Sequence, residues 1–300
     1  MWFRNLQLYR LPAPWQMKIE DLEDQLTKRR FVPCGSQDPE SRGWVPPMAD
    51  GALVHSVASQ WLICLCSEHR LLPSSVVKQE TEERAAALEL TQGFKPGRKQ
   101  MKDLKEEVTR ELMPRAFTRK RKVFAWIDPK DGWFAVDVPS VTRAEDVLEA
   151  LRQTLDAFPL TLVRTENSPV SAMSDWLAGG DAPAGFTIDM DCELKSVTEE
   201  KAAVRYVRHS LDGDEIKTHL TEGKLPTKLA LTFDDRISFL LTEKAEIKRL
   251  QFLDVVKEEA DGSGESAQEL FDAHFALMAG ELKRLIPAVL EALGGETRAD

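Results

Sequence analysis

Nine consecutive residues constrain this chain more than any others. Pro114 to Lys122 reads PRAFTRKRK and holds five basic side chains, Arg115, Arg119, Lys120, Arg121 and Lys122, with no acid among them. The segment belongs to a strand expected from Ala116 to Asp128, paired with Trp133 to Val138 through a turn at Pro129, Asp131 and Gly132. Successive side chains on a strand alternate faces, so Phe117, Arg119 and Arg121 point one way and Thr118, Lys120 and Lys122 the other. Neither face can be buried. Such a strand projects into water or lines a channel that something anionic enters.

The flanking charge extends this pattern. From Lys95 to Phe124 there are eleven basic residues, Lys95, Arg98 and Lys99 among them, against four acids, a local balance of +7. The whole chain of 300 residues carries −10, which leaves −17 on the remainder. Charge is therefore segregated along the chain, the footprint of a protein that meets phosphate backbones on one surface. A solvated helix face beside a lysine-protected edge strand accounts for the same composition. Phe117, between Arg115 and Arg119, could anchor a partner chain, stack on a base or close a small satellite core.

The 42% hydrophobic and 30% charged composition is that of a globular chain of about two domains. No apolar run approaches the roughly 20 residues of a membrane-spanning helix, and the N-terminus lacks a signal-peptide apolar core, so a cytosolic location is expected. Cys34, Cys64, Cys66 and Cys192 are too few and scattered for a disulfide scaffold and are expected to be reduced.

Along the chain, a strand is expected over Trp2 to Leu11 and an amphipathic helix near Ile19 to Lys28. Residues 33–50 hold four prolines and read as irregular structure packed through Trp44 and Met48. Ala52 to Ser59 and Gln60 to Glu68 form a hairpin, and Ser74 to Gln92 and Met101 to Met113 are two polar helices with narrow apolar seams. These make an αα-hairpin that projects as an arm. Helix Thr142 to Leu155 and strand Leu160 to Val163 complete a first lobe. Beyond a junction at Glu166 to Gly185, which holds a short helix near Trp176, lie five further strands, a helix over Asp212 to Glu222 and a long closing helix stopped by Gly294 and Gly295. The class is α+β, with two strand-and-helix lobes: residues 1–73 plus 123–165, then 166–300, with the arm and basic segment at 74–122.

Catalytic signals are weaker. Cys64, Cys66, His55 and His69 sketch a zinc set without a second matched cysteine pair, and core packing is the preferred reading. His274 reads as a satisfied core histidine, and His209 and His219 lack a partner pattern. Glu193 and Lys195, with Asp175 or Asp189, loosely match a metal-dependent nuclease. Phosphate-loop, dinucleotide and nucleophile-elbow motifs are absent from the sequence. No catalytic residue, metal or cofactor is assigned. An adaptor whose basic arm docks an acidic protein is a further alternative.

Several blocks then combine: WFRNLQLYRL (Trp2 to Leu11), FVPCGSQD (Phe31 to Asp38), GWVPPM (Gly43 to Met48), LPSSVVKQ (Leu72 to Gln79), LMPRAF (Leu112 to Phe117), WID (Trp126 to Asp128), TKLALTF (Thr227 to Phe233) and LMAGEL (Leu277 to Leu282). In this order, over nearly the whole chain, the sequence resembles the RdgC family of bacterial recombination-associated proteins. The resemblance implies a nucleoid DNA-binding protein without known enzymatic activity. Such a protein binds double-stranded and single-stranded DNA with little sequence preference, as a ring-shaped homodimer with a basic central hole, and restrains RecA-mediated strand exchange. It assigns Phe117 to the contact that closes the ring, with Arg208 and His209 near the same closure, and turns the basic residues after Phe117 toward the hole. Thr91 to Gly97 and Lys257 to Gln268 depart from the family pattern.

Overall fold

A computed structural model describes residues 1–197, 202–262 and 266–297; residues 263–265, inside the divergent stretch Lys257 to Gln268, lie outside the described residues. The alternating apolar segments pair into two antiparallel sheets. The first contains β1 (Gln7–Arg10), β2 (Glu40–Val45), β3 (His55–Val57), β4 (Gln60–Leu71), β5 (Phe117–Asp128), β6 (Trp133–Val136) and β7 (Thr161–Leu162). Their spatial order is β2-β4-β5-β6-β1-β7, with β3 also on β4. The second sheet runs β12-β11-β10-β8-β9, from β8 (Phe186–Ser196), β9 (Ala203–Tyr206), β10 (Lys224–Phe233), β11 (Ile237–Thr242) and β12 (Ile247–Phe252). Among the described residues there are eight α-helices: α1 (Ile19–Thr27), α2 (Ser74–Gln92), α3 (Arg98–Leu112), α4 (Val141–Thr154), α5 (Pro169–Gly179), α6 (Asp214–Thr221), α7 (Asp254–Asp261) and α8 (Ala267–Ala292).

Each face of the first sheet has its own core. On one face Ile63, Leu65, Ala125 and Ile127 pack with Leu22 and Leu26 of α1 and Val147, Leu148 and Leu151 of α4. On the other, Leu62, Trp126, Trp133 and Ala135 join Phe275, Met278, Leu282 and Leu285 of α8, which also pack against Leu229, Leu231 and Leu241 of the second sheet. Helix α8 is thus apolar over most of its circumference because it is shared by two sheets. Its polar residues pin both: Lys283 Nζ lies 2.9 Å from Asp128 and 2.8 Å from Asp131, while the buried Glu281 accepts from Arg236 Nε at 2.8 Å.

Three expectations need correction. The first strand is shorter than Trp2 to Leu11, because the chain before β1 leaves the first sheet for the second: Leu6 N–H donates to Ile247 O and Leu250 N–H to Arg4 O, both at 2.8 Å. The proline-rich segment 33–50 is not wholly irregular, since β2 lies inside it, between its prolines, and pairs with β4 from Glu40–His69 to Val45–Cys64. Gly43 permits this, for a Cβ there would sit 2.4 Å from Phe31 Cα. Trp44 is buried as expected. Helix α7 has no counterpart in the sequence reading, whereas α5 falls where a short helix near Trp176 is expected and contributes Ala172, Met173 and Leu177 to the shared core.

The αα-hairpin is present. Helices α2 and α3 close along Val77, Thr81 and Ala85 on one side and Val108 on the other, with Arg84 Nη2 donating to Glu111 at 2.6 Å. Gly93, at φ 80°, ends α2 in the left-handed conformation that glycine adopts without steric cost.

Candidate nucleic-acid interface

Strand β5 is two strands in one. Its C-terminal half, Ala125 to Asp128, is fully buried and flanked on both sides, by β4 and by β6. Its N-terminal half pairs only with β4, from Phe117–Leu71 to Lys122–Cys66, and β6 starts its pairing at Ala125. Phe117 to Lys122 is consequently an exposed edge, and all six side chains are exposed. The alternation expected from the sequence holds: Arg119 and Arg121 line a cleft on the α4 side with Ser67 and His69, and Lys120 lies on the opposite face near Glu68.

The two faces differ in how their charge is used. On the Lys120 face, buried Glu68 accepts from Cys34 N–H at 2.7 Å, and Lys120 Nζ stands 3.9 Å away. That amide, with the Thr118 hydroxyl and Lys120, holds the Glu68 carboxyl below the ordinary carboxylate range. Lys120 also lies over the Phe31 ring, 5.3 Å from its centre. On the other face neither Arg119 nor Arg121 has a carboxylate within ion-pair distance among the described residues.

Arg70 fastens the arm to this edge. Its Nη1 donates to Met113 O at 3.1 Å and Ala116 O at 3.2 Å, and its Nη2 to Gly35 O at 3.0 Å. One guanidinium thereby ties the loop at Gly35 to the turn where α3 leads into β5. Sequence reasoning missed Arg70, whose only signal is its place opposite Thr118 in the β4–β5 register. Arg115 is exposed beside this turn, whereas Lys95, Arg98 and Lys99 are exposed at the far end of the hairpin. The structure therefore gathers Arg115, Arg119, Lys120, Arg121 and Lys122 at the arm's root and leaves the other three at its tip.

Phe117 is 84% exposed and opposes Leu71, itself 50% exposed, so the satellite core considered for it does not form. Arg208 and His209 stand on the other sheet, just beyond β9. Arg208 has φ 52° and donates its N–H to Asp191 at 3.0 Å, and the His209 ring lies 5.5 Å from that of Tyr206.

Glu193 sits in a cage. Register places it opposite Arg205 on β9 and Lys228 on β10. Its oxygens receive Thr227 Oγ1 at 2.8 Å, Arg205 Nε at 2.6 Å, and Lys195 and Lys228 Nζ at 3.1 Å each. Burial works to raise its pKa, but these hydrogen bonds outweigh burial and leave it at about 2. A carboxylate whose lone pairs are taken by three cations repels a divalent ion instead of holding one. Cys64 and Cys66 are buried in β4, with burial pushing the Cys64 thiol up to about 12. His55 and His69 are engaged with Asp272 and Glu40. No group of metal-binding side chains occurs among the described residues. His274 is satisfied, bonded to Asp261 at 2.8 Å and to the Met1 amine at 3.2 Å.

No helix is long and apolar enough to cross a membrane among the described residues. Residues 1–296 match the profile of a family described as "Putative exonuclease, RdgC". The chain is 63% identical over 299 residues, covering 99% of itself and 98% of the relative, to "Recombination-associated protein RdgC" of Dechloromonas aromatica. It is 50% identical to the protein of that name in Cupriavidus pinatubonensis, with both chains covered completely. With the Herminiimonas arsenicoxydans protein it shares 49% identity over 99% of each chain. The family description speaks of an exonuclease and the relatives' names of recombination; no enzymatic activity is established by either. Matched from end to end by the family profile and by these relatives, the chain belongs to the RdgC family of recombination-associated proteins.

Proposed function

We propose that this chain binds DNA without sequence preference, as a ring-shaped homodimer of the nucleoid, and that by occupying DNA it limits RecA-dependent recombination. The observation that carries the reading is the projecting half of β5, with cations on both faces and an unpaired backbone edge. Arg115, Arg119, Lys120, Arg121 and Lys122 form the main phosphate contacts, with Lys95, Arg98 and Lys99 reaching the same polymer from the arm tip. Contacts of this kind position a protein on DNA without reading bases. An acidic remainder keeps DNA on this surface by repelling it elsewhere.

Phe117, exposed at the arm's root, serves as the apolar anchor of the contact with the second copy, and Arg208 and His209 take part in closure from the other lobe. Residues 74–122 act as the tip, residues 1–73 with 123–165 as the centre and 166–300 as the base. The use of single-stranded as well as double-stranded DNA follows from recognition by phosphate alone. A nuclease built on Glu193 and Lys195 is not favoured, because the Glu193 carboxylate is fully engaged.

The test is affinity against salt for unrelated duplexes, with wild type and the Arg119, Lys120, Arg121, Lys122 to Ala variant. If four phosphate contacts are lost, the slope of log K against log salt falls by roughly 3 to 4. A variant with unchanged affinity and slope overturns the proposal.

A further inference from the structure

The α4-facing side of β5 borders a cleft that the reading above leaves without a role. It has a volume of about 250 Å³. Arg119 and Arg121 of β5, Arg143 from the first turn of α4 and Arg42 from β2 line it, and Leu71 and Val123 are its accessible apolar side chains, above the buried Leu65 and Val147. Arg42 is committed, donating to Asp146 at 2.9 Å and lying 3.4 Å from Glu40. Arg119, Arg121 and Arg143 have no carboxylate partner among the described residues. Three guanidiniums with unused donors thus converge on an apolar surface, and the one acid in the wall, Asp146, is already held by Arg42.

This combination selects its guest. Guanidinium forks match phosphate oxygens bidentately, and their planes stack on bases. An apolar surface is of no use to a bare phosphate and suits the face of a ring. The volume lies just below the roughly 300 to 1,000 Å³ of ordinary small-ligand pockets, which admits one nucleotide and no duplex. We infer that this cleft binds a single unstacked nucleotide of single-stranded DNA, its phosphate among Arg119, Arg121 and Arg143 and its base against Leu71 and Val123. The inference rests on the DNA-binding reading but is separable from it, because Arg143 and Ser67, which also lines the cleft, lie outside the basic segment. It gives the protein two modes: duplex held by the projecting edge through phosphates alone, and single strand held additionally by one captured base.

The experiment titrates the full chain with dTMP, thymidine and inorganic phosphate, then with oligo-dT and a duplex. Wild type is expected to bind dTMP more tightly than either of its halves. Arg143→Ala should weaken dTMP at least about tenfold, the loss of a charge-assisted contact. Ser67→Phe, which places a ring in the cleft from a half-buried strand position, should abolish dTMP binding. Both variants should weaken oligo-dT while leaving duplex affinity within about twofold. Inorganic phosphate binding as tightly as dTMP, an acidic peptide displacing dTMP more effectively than oligo-dT does, or dTMP binding unaffected by both substitutions would each overturn the inference. If dTMP fails to bind while duplex binding remains steep in salt, the cleft proposal alone falls; if duplex binding is also absent, the reading beneath it falls too.

Discussion

Two clusters of basic residues, one at the root of the arm and one on the second sheet, differ in what their charge is spent on. Lys195, Arg205 and Lys228 converge on one buried carboxylate, Glu193, at distances of 2.6 to 3.1 Å. Arg119 and Arg121 face a cleft with no acid of their own among the described residues. The first group is engaged in holding β8, β9 and β10 together, and the second, on the proposed function, is what DNA meets. A count of Lys and Arg cannot separate the two; the cross-strand register can.

The largest effect expected from breaking this contrast is Glu193→Ala. Removing the carboxylate deletes three ion pairs and the Thr227 hydrogen bond, and a loss of about 2 to 3 kcal/mol in unfolding stability follows, moderated because the three cations can rehydrate. Chemical denaturation measures it. The same substitution turns the cage into a second patch of uncommitted charge, so DNA affinity at low salt should rise, not fall. The pH dependence has a fixed sign. The folded Glu193 carboxyl titrates at about 2, below the ordinary 4.5, so its contribution is complete above about pH 5 and is lost as pH falls toward 2. Glu193→Gln should flatten that window of the stability curve.

Next in size is Arg70→Met. Arg70 belongs to the basic region but is spent on carbonyls, those of Gly35, Met113 and Ala116. Leaving these acceptors unpaired at a partly buried site should cost about 1 to 2 kcal/mol. The loss concentrates at the arm's attachment. Hydrogen exchange in β5 before Val123 should accelerate while Trp126 and Ile127 in the core stay protected. Uniform acceleration across both halves of β5 would show that the arm root and the sheet open as one unit.

How much of this was legible beforehand follows the range of the interactions. The hairpin β3–β4, the arm helices and the face alternation of β5 depend on neighbours in sequence, and local periodicity located them to within a few residues. The role of α8 depends on a sheet more than a hundred residues away. Its broad apolar stripe announced burial, but not that Leu62 and Trp126 would cover one side while Leu229 and Leu231 cover the other. Strand β2 was hidden by its prolines, which flank it, and by Gly43, whose missing Cβ is needed for Phe31 to approach. In the site, the basic run was plain from its composition. Arg42 and Arg143 are invisible in the sequence, because β2 and α4 reach the cleft only through tertiary packing, and the loose nuclease match at Glu193 could not be dismissed from sequence because its cage comes from three different strands.

A smaller effect separates the two clusters in a single experiment. Arg205→Ala removes one of three cations from Glu193 and should cost about 1 kcal/mol of stability with DNA affinity unchanged within about twofold. Arg121→Ala should do the reverse, with stability unchanged within about 0.5 kcal/mol and a several-fold weaker complex whose salt slope drops by about 1. If Arg205→Ala weakened DNA as much as Arg121→Ala, paired and free cations would be equivalent toward the ligand, and the contrast between the clusters would lose its meaning.

The smallest expected change in the fold, and the most selective in assembly, belongs to Phe117→Ala. Because the ring is 84% exposed, truncation opens no cavity and the unfolding midpoint should stay within the ordinary scatter of surface substitutions, about 0.5 kcal/mol. An aromatic that covers nothing in its own chain makes its contribution elsewhere. If it anchors the second copy, sedimentation at falling concentration will show the variant dissociating where wild type remains associated. Its monomer should then bind DNA more weakly than the wild-type dimer, because linked sites raise effective concentration and single ones do not. Equal association in both proteins would return Phe117 to the DNA side of the argument. There, beside Arg119 on the same face, it would serve as a platform for a base, and Phe117→Ala would weaken oligo-dT more than duplex.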